Sequence, residues 1–382
     1  MNQKKGLIVL MGTKVSYSVV QSSRALYIFQ EIKKRCPETY LIIKKNEQTE
    51  ILLDNLIQIK PKISILGEFT LLKGILFILQ MTINTFHVVV SKKIDYVVLR
   101  GYDTILLFVG LKLLNIKIYY DFHGKYDLEL HHQKRFLRAF IVKWIEKIIL
   151  RYSDRIIVIS KGIEAQIEEY QNKCIYLPNG IDLNGLNRSE EYLPIELPIN
   201  KKIIGFIGNW EPIMKIEDVC DSINYLNDSI AVIVGRGYKF ERILQQYCSN
   251  MNIIFTGQIE QKYVYSILKK MDVCVVPYDA NSYASKIKNF FSNRKIYEYL
   301  AAGKPIIISK IEGVPEFLEE NTNYLPYESG NAKDLADKIK ILYNNQELYH
   351  KMSESNAKLA TTFQWSLLIK NSGIIEDIKL NK

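Results

Sequence analysis

A chain of 382 residues with 48% hydrophobic and 24% charged side chains has room for two or three domains at the usual ~150 residues each. That ordinary globular composition excludes disorder, collagen and coiled coil as global descriptions, and five widely spaced cysteines without a C-x-x-C pair disfavour a disulfide scaffold or structural zinc and suit a reducing compartment. The net charge of +10 sits in one half: residues 1–190 carry 28 Lys and Arg against 18 Asp and Glu, a surplus of ten, whereas residues 191–382 carry 23 of each. The basic half suggests an anionic contact, with a Lys-rich solvated surface as the competing explanation.

The run Leu7–Met11 is shorter than a signal-peptide core and no small-residue cleavage site follows it, so it reads as a first strand. A helical stretch around Ser22–Lys34 and a strand at Tyr40–Lys44 come next. Leu71–Val90 is the most apolar long stretch, but Lys73, Gln80, Asn84 and His87 interrupt it, whereas a bilayer span needs ~20 residues with few polar breaks. Strands at Asp95–Gly101, Lys117–Gly124, Asp154–Ser160 and Cys174–Asp182 complete a first series. Within it, Lys134–Arg155 interleaves basic residues with Phe136, Phe140, Trp144 and Ile148 as an amphipathic helix. Its place between two strands favours packing of the apolar face on the core over contact with anionic lipid.

Residues 183–202 are polar, hold two prolines and have no sustained period, as an interdomain linker does. The alternation restarts with strands at Ile203–Asn209, Ile230–Gly237, Asn252–Gly257, Val273–Tyr278 and Pro305–Ser309, and with helices at Arg294–Ala302 and near Asp334–Asn344. The strand runs are short, β-branched and not alternately polar, as in parallel sheets covered on both faces. The fold class is therefore α/β, with two tandem Rossmann-like domains expected to face a central cleft. The expected divisions are an N-terminal domain over 1–185, a linker over 186–201, a C-terminal domain over 202–364 and a terminal helix over 365–382.

In open α/β sheets, ligands bind beyond the carboxyl ends of the strands, where backbone N–H groups are free. At Ile203–Glu217 a strand ends in Gly208 and runs into a helix, with Lys215 seven residues on. That junction offers amides and a compact cation to a diphosphate, or is a tight turn beside a solvated lysine. Asn293–Glu316 is more specific: Glu298 can accept two hydrogen bonds from a ribose diol and Lys295 can reach an anion, although the two also read as an i,i+3 surface pair. Gly313 brings a glycine and backbone amides to the next strand end. His123 precedes Gly124, which lets the chain approach a ligand; a hydrogen-bonded structural histidine is the alternative. His131 and His132 read as surface residues.

K-I-Y-E-Y-L-A-A-G-K-P-I-I (Lys295–Ile307), P-N-G-I-D (Pro178–Asp182), D-F-H-G (Asp121–Gly124) and F-I-G (Phe206–Gly208) occur in the order seen in GT-B glycosyltransferases. The chain resembles glycosyltransferase family 4, whose members are retaining enzymes using nucleotide-activated sugars. The resemblance covers nearly the whole chain, weakest over residues 40–100. It implies a GT-B fold in which the segment opened by Phe363–Trp365 crosses back onto the N-terminal domain. It also implies that Glu298, as the second glutamate of an E-x7-E motif, binds the nucleotide ribose and that Lys215 neutralises the diphosphate. Gly12 and Thr13 would form the first-strand loop over the phosphates, Gly313 and Val314 would cradle the donor sugar and diphosphate, and His123 would lie near the reacting sugar. Two positions depart from the family pattern: Phe290 stands where the first glutamate belongs, and Asn209, after Gly208, where an arginine is usual. Arg236, Lys286, Lys288 or Arg294 could supply the cation, and Asn289 or Asn293 the polar contact.

The implied activity is retaining transfer of a sugar from a nucleotide-diphosphate donor to a glycan or polyprenyl-linked acceptor, in cell-surface polysaccharide biosynthesis. No cofactor and no protein-held metal are expected, since no D-x-D or His/Asp cluster stands at a strand end. A catalytically silent GT-B subunit that binds a partner transferase or a glycan is the alternative motivated by Phe290 and Asn209. A sugar-nucleotide epimerase would want more carboxylates and histidines, and nucleic-acid binding lacks a recognisable module. The expected location is cytoplasmic, with room for peripheral contact at the inner face of the cell membrane.

Overall fold

The computed structural model describes residues 4–11, 20–45, 53–60, 70–187, 193, 195–282 and 293–380, which fall into two compact units, 1–178 with 365–382 and 179–364. The first unit runs β1 (Gly6–Leu10), α1 (Val20–Arg35), β2 (Thr39–Lys44), β3 (Leu56–Ile59), α2 (Thr70–Lys92), β4 (Tyr96–Leu99), α3 (Ile105–Leu113), β5 (Lys117–Phe122), α4 (Tyr126–His132), α5 (Phe136–Tyr152), β6 (Arg155–Val158), α6 (Lys161–Ala165) and β7 (Cys174–Tyr176). All pairings in its seven-stranded sheet are parallel, in the order β3-β2-β1-β4-β5-β6-β7. Side chains alternate between two cores. Leu7 and Val9 join Met81, Leu107 and Ile149 from α2, α3 and α5, whereas Ile8 and Leu10 join Leu26 and Phe29 from α1 on the other face. Because both faces are covered, the strand shows no polar alternation.

The helices Trp365–Asn371 and Ile374–Lys379 belong to this unit. Trp365 stacks on Tyr27 with ring centroids 5.6 Å apart. Asp377 accepts hydrogen bonds from Tyr119 Oη at 2.6 Å and Arg155 Nε at 2.7 Å, and pairs with Lys117 Nζ at 2.8 Å.

The expected packing of the 134–155 helix is corrected in one respect. Val142, Ile149 and Leu150 of α5 do face the core, but Leu137, Phe140 and Trp144 point outward, at 76%, 62% and 52% exposure. Seventeen residues of helix carry more apolar side chains than one stripe holds, and the surplus is left on the outer face. The apolar stretch after Leu71 forms α2, a single 23-residue helix.

The second unit runs α7 (Leu183–Asn187), β8 (Lys202–Ile207), α8 (Ile216–Ser222), β9 (Ser229–Val234), α9 (Phe240–Tyr247), β10 (Ile253–Gly257), α10 (Gln261–Lys270), β11 (Val273–Val276), α11 (Arg294–Ala301), β12 (Ile306–Ser309), β13 (Tyr324–Tyr327), α12 (Ala332–Asn344) and α13 (Gln346–Thr361). Its parallel sheet has the order β10-β9-β8-β11-β12-β13. The unit begins at Asn179, seven residues before the expected linker, because the backbone N–H of Ile181 donates to Phe363 O at 2.8 Å and so joins the P-N-G-I-D segment to it. Strand order reverses between β1 and β4 in one sheet and between β8 and β11 in the other. The carboxyl ends of those strands are where a doubly wound sheet opens a ligand crevice.

Candidate functional site

At the reversal point of the second unit, Ile207 gives way to Gly208 at φ +137°, where a Cβ would lie 2.8 Å from Cε of Lys295. Beyond β9, Gly235 has φ +112°, and a Cβ there would come within 2.0 Å of Gly208 O. Backbone therefore meets backbone at the strand ends, and only glycine allows it. Tyr299 Oη takes the Ile207 N–H at 2.8 Å, and Asn293 Nδ2 donates to Tyr278 Oη at 2.8 Å, so α11 is fixed to both β8 and the end of β11. The amide of Asn293, a candidate for the missing polar contact, is thus bound to the framework.

Lys295 extends from the first turn of α11 beneath Gly208 and is 7% exposed. Its ammonium has Met214 Sδ at 3.8 Å and the Phe206 ring centroid at 5.1 Å, with no carboxylate at ion-pair distance among the described residues. Burial pushes its pKa below the ordinary lysine value, against the smaller opposing pull of Glu211 and Glu298. An unpaired buried ammonium is costly, and an arriving anion would relieve that cost.

Glu298, also 7% exposed, accepts from Arg294 Nε at 2.7 Å through Oε1. The reading of Lys295 and Glu298 as a surface ion pair is therefore corrected: both are buried, and the carboxylate's partner lies one turn back at Arg294. Lys215 stands just before α8, its N–H donating to Pro277 O at 2.7 Å. Its half-buried side chain runs to Gly330, where a Cβ would lie 2.5 Å from Nζ. Asp218 holds that turn by accepting from Gly330 N at 2.8 Å and Tyr327 Oη at 3.0 Å.

Asn209 is exposed at the turn after β8. Arg236 lies on the neighbouring loop, but its exposed guanidinium pairs with Glu241 and stacks over Phe240, 4.8 Å from the ring centroid. That pair is solvent-exposed and therefore weak, so the guanidinium stays accessible from the loop. Gly313, at φ +109°, and half-buried Val314 belong to the loop after β12. Phe317 anchors that loop, 5.3 Å from the Tyr297 ring and 4.6 Å from Phe363. Gly12, Thr13, Lys286, Lys288, Asn289 and Phe290 lie outside the described residues.

At the reversal point of the first unit, Leu10, Met11, Arg100 and Gly101 line a cavity of about 570 Å³, walled by Ile75 and Ile78 of α2, Leu106 of α3 and Arg138 of α5. Arg100 leads from it to His123, whose Nδ1 lies 3.2 Å from the guanidinium, while Nε2 lies 2.8 Å from Asp121 Oδ2. A guanidinium only donates, so Nδ1 must accept, and the proton resides on Nε2 facing Asp121. Burial, reinforced by Arg100 and Arg24 against the pull of Asp121, lowers the His123 pKa to about 4, which agrees with a neutral ring. Burial alone would raise the Asp121 pKa, but Arg24 and His123 outweigh it and hold the carboxyl well below the usual range. Arg24 itself, 2% exposed, donates to Leu177 O at 2.7 Å and Pro178 O at 2.8 Å. His123 thus has both ring nitrogens engaged. Arg24 and Arg100 escaped the sequence reading; the signal for Arg24 was a lone charge beside the apolar run Ala25–Phe29.

The family description "Glycosyl transferases group 1" matches residues 201–345 and "Glycosyltransferase Family 4" matches residues 57–184. The solved structure of Anabaena HepE in complex with UDP-glucose superposes with a TM-score of 0.71 at 14% identity, covering 98% of this chain and 99% of that one. The chain belongs to the GT-B glycosyltransferases of the family 4 type. This glycosyltransferase is 27% identical over 216 residues to an uncharacterised glycosyltransferase of Methanocaldococcus jannaschii, a match taking in 56% of each chain. It spans little more than half the length of that relative. It is 20% identical over 371 residues to N,N'-diacetylbacillosaminyl-diphospho-undecaprenol alpha-1,3-N-acetylgalactosaminyltransferase of Campylobacter jejuni, covering 89% of this chain and 91% of the relative.

Proposed function

We propose that this protein transfers a sugar, with retention at the anomeric carbon, from a nucleoside-diphosphate sugar held at the β8/β11 reversal point to a glycan or lipid-linked acceptor in cell-surface polysaccharide synthesis. The buried ammonium of Lys295 under Gly208, which has no carboxylate partner among the described residues, carries the reading, because a diphosphate at the strand end would supply an anion. Glu298 accepts the ribose hydroxyls with its remaining oxygen, while Arg294 holds the carboxylate in place through the other. Lys215 and the amides after Gly208 and at the Gly313–Val314 loop stabilise negative charge as the bond between the anomeric carbon and the diphosphate breaks. The acceptor hydroxyl then bonds to that carbon on the same face and gives its proton to a leaving phosphate oxygen, so no protein nucleophile is required. Charge on the leaving group is met by lysines and amides rather than by a protein-held metal. His123, neutral and fixed between Arg100 and Asp121, serves as a rigid positioning group on the acceptor side.

The UDP-glucose in the Anabaena structure and the diphospho-undecaprenol named for the Campylobacter relative support a nucleotide-sugar donor and a lipid-linked acceptor. The test is a panel of UDP-, GDP- and ADP-sugars with a polyprenyl-diphosphate saccharide, followed by NMR of the new anomeric linkage. Transfer with the donor's anomeric configuration is expected. An inverted product, or donor binding with no turnover on any acceptor, would overturn the reading, the latter in favour of a silent binding subunit.

A further inference from the structure

The helices α2, α3 and α5 cover one face of the first sheet, and their outer surface accounts for most of the large hydrophobic side chains that the described residues expose. Ile83 on α2, Leu113 on α3, and Leu137 and Phe140 on α5 are 67%, 84%, 76% and 62% exposed. Isolated exposed apolar residues are normal, but a run across three adjacent helices marks a contact surface. By length and composition α2 could cross a bilayer, yet Met81, Val88 and Val89 hold it in the core, so it lies on the sheet with its other side outward.

Charge says what covers this face. Neither α2 nor α3 contains an acidic residue, and the one in α5, Glu146, is buried against the Tyr126 N–H. The exposed ionised groups on α5 are all cations, Lys143, Lys147 and Arg151 among them. Lys147 sits over the Trp144 ring at 5.6 Å, and Arg151 over Tyr152 at 5.7 Å. Aromatic and aliphatic side chains flanked by lysine and arginine suit the headgroup boundary of an anionic membrane. A second copy of the same face would instead bring cations against cations.

We propose that the joint outer face of α2, α3 and α5 docks flat on an anionic phospholipid bilayer, with Phe140 and Trp144 entering the headgroup boundary. Ile75 and Leu106, which belong to this face, also line the cavity at Arg100, so a lipid-borne acceptor has an apolar route from the bilayer to that cavity. Docking does not depend on transfer activity, and its failure would leave the proposed function standing.

The full chain, without donor, is mixed at low salt with vesicles of phosphatidylglycerol and phosphatidylethanolamine, some with brominated acyl chains, or with phosphatidylcholine alone. Of the three tryptophans Trp144 is exposed, whereas Trp210 and Trp365 are buried at 2% and 5%, so a change in emission reports Trp144. Wild type should co-sediment with the anionic vesicles, with blue-shifted emission quenched by the brominated lipid. W144F should still sediment but show neither signal, and F140S/I148S should partition at least tenfold less with unchanged melting. K143Q/K147Q/R151Q should lose the preference for anionic vesicles. No sedimentation of the wild type, or quenching that persists in W144F, would overturn the proposal. So would a concentration-dependent dimer that F140S/I148S dissociates, because the face would then join two copies.

Discussion

The two sheets share parallel topology and a strand reversal, yet what they place at the reversal point differs in kind. Between β8 and β11 the floor is glycine backbone over a buried ammonium, with a glutamate already oriented by an arginine. Between β1 and β4 it is an apolar cavity edged by Arg100 and Arg138, continuous with exposed hydrophobic helices. Under the proposed function, the former would meet a compact, highly charged group and the latter an amphiphile. The same scaffold specialises through the residues at its strand ends and not through its topology.

The comparison breaks most readily at Lys215. If it stabilises the departing diphosphate, Lys215→Ala should lower kcat by about a hundred- to a thousandfold, roughly 3–4 kcal/mol, while donor Kd changes little. A raised donor KM with unchanged kcat would make Lys215 a ground-state contact. A smaller effect is expected at Glu298: Glu298→Gln should weaken donor binding by about 1–3 kcal/mol and leave the melting temperature near wild type, as measured by titration calorimetry. A nucleotide lacking the ribose hydroxyls should bind both proteins alike.

The smallest effect sharpens the picture of the first unit. His123 is protonated near its ordinary 6.5 when unfolded and near 4 when folded, so the unfolded chain binds more protons in that window. This residue's contribution to stability is therefore present above pH 6.5 and lost as pH falls towards 4. Arg100→Gln removes a cation beside Nδ1 and should raise the folded pKa by about one unit, worth ~1.4 kcal/mol, narrowing the window. Ring NMR across pH 4–7 gives the midpoint and the tautomer. An ordinary midpoint in wild type would contradict the network.

The strands of both sheets were largely legible because buried parallel strands leave uninterrupted β-branched runs such as Leu7–Leu10 and Ile203–Ile207. β3 and β13 were not: Leu56–Ile59 is half-buried at a sheet edge, and Tyr324–Tyr327 contains a proline. The motif around Lys295 and Glu298 stood out in sequence, but its pairing did not. Nothing in the spacing distinguishes a glutamate paired with Arg294 from one paired with Lys295, since both lie one turn away. Which helix face is buried decides it, and that is a tertiary property. The same reason hid the outward face of α5, where the sequence shows amphipathicity without showing that there are more apolar residues than the core accepts.

The central claim, that a buried lysine under a glycine turn awaits a diphosphate, is tested most directly by replacing it with an apolar side chain of similar length. Without ligand, Lys295→Met should melt higher than wild type, because a desolvated, unpaired charge has been removed. With saturating nucleoside diphosphate, wild type should be stabilised by about 2.7 kcal/mol at a hundredfold excess over Kd, and the variant should scarcely respond. Thermal melts of both proteins with and without the nucleotide read both effects at once. A Lys295→Met protein that melts lower than wild type and still gains the full stabilisation would contradict the account.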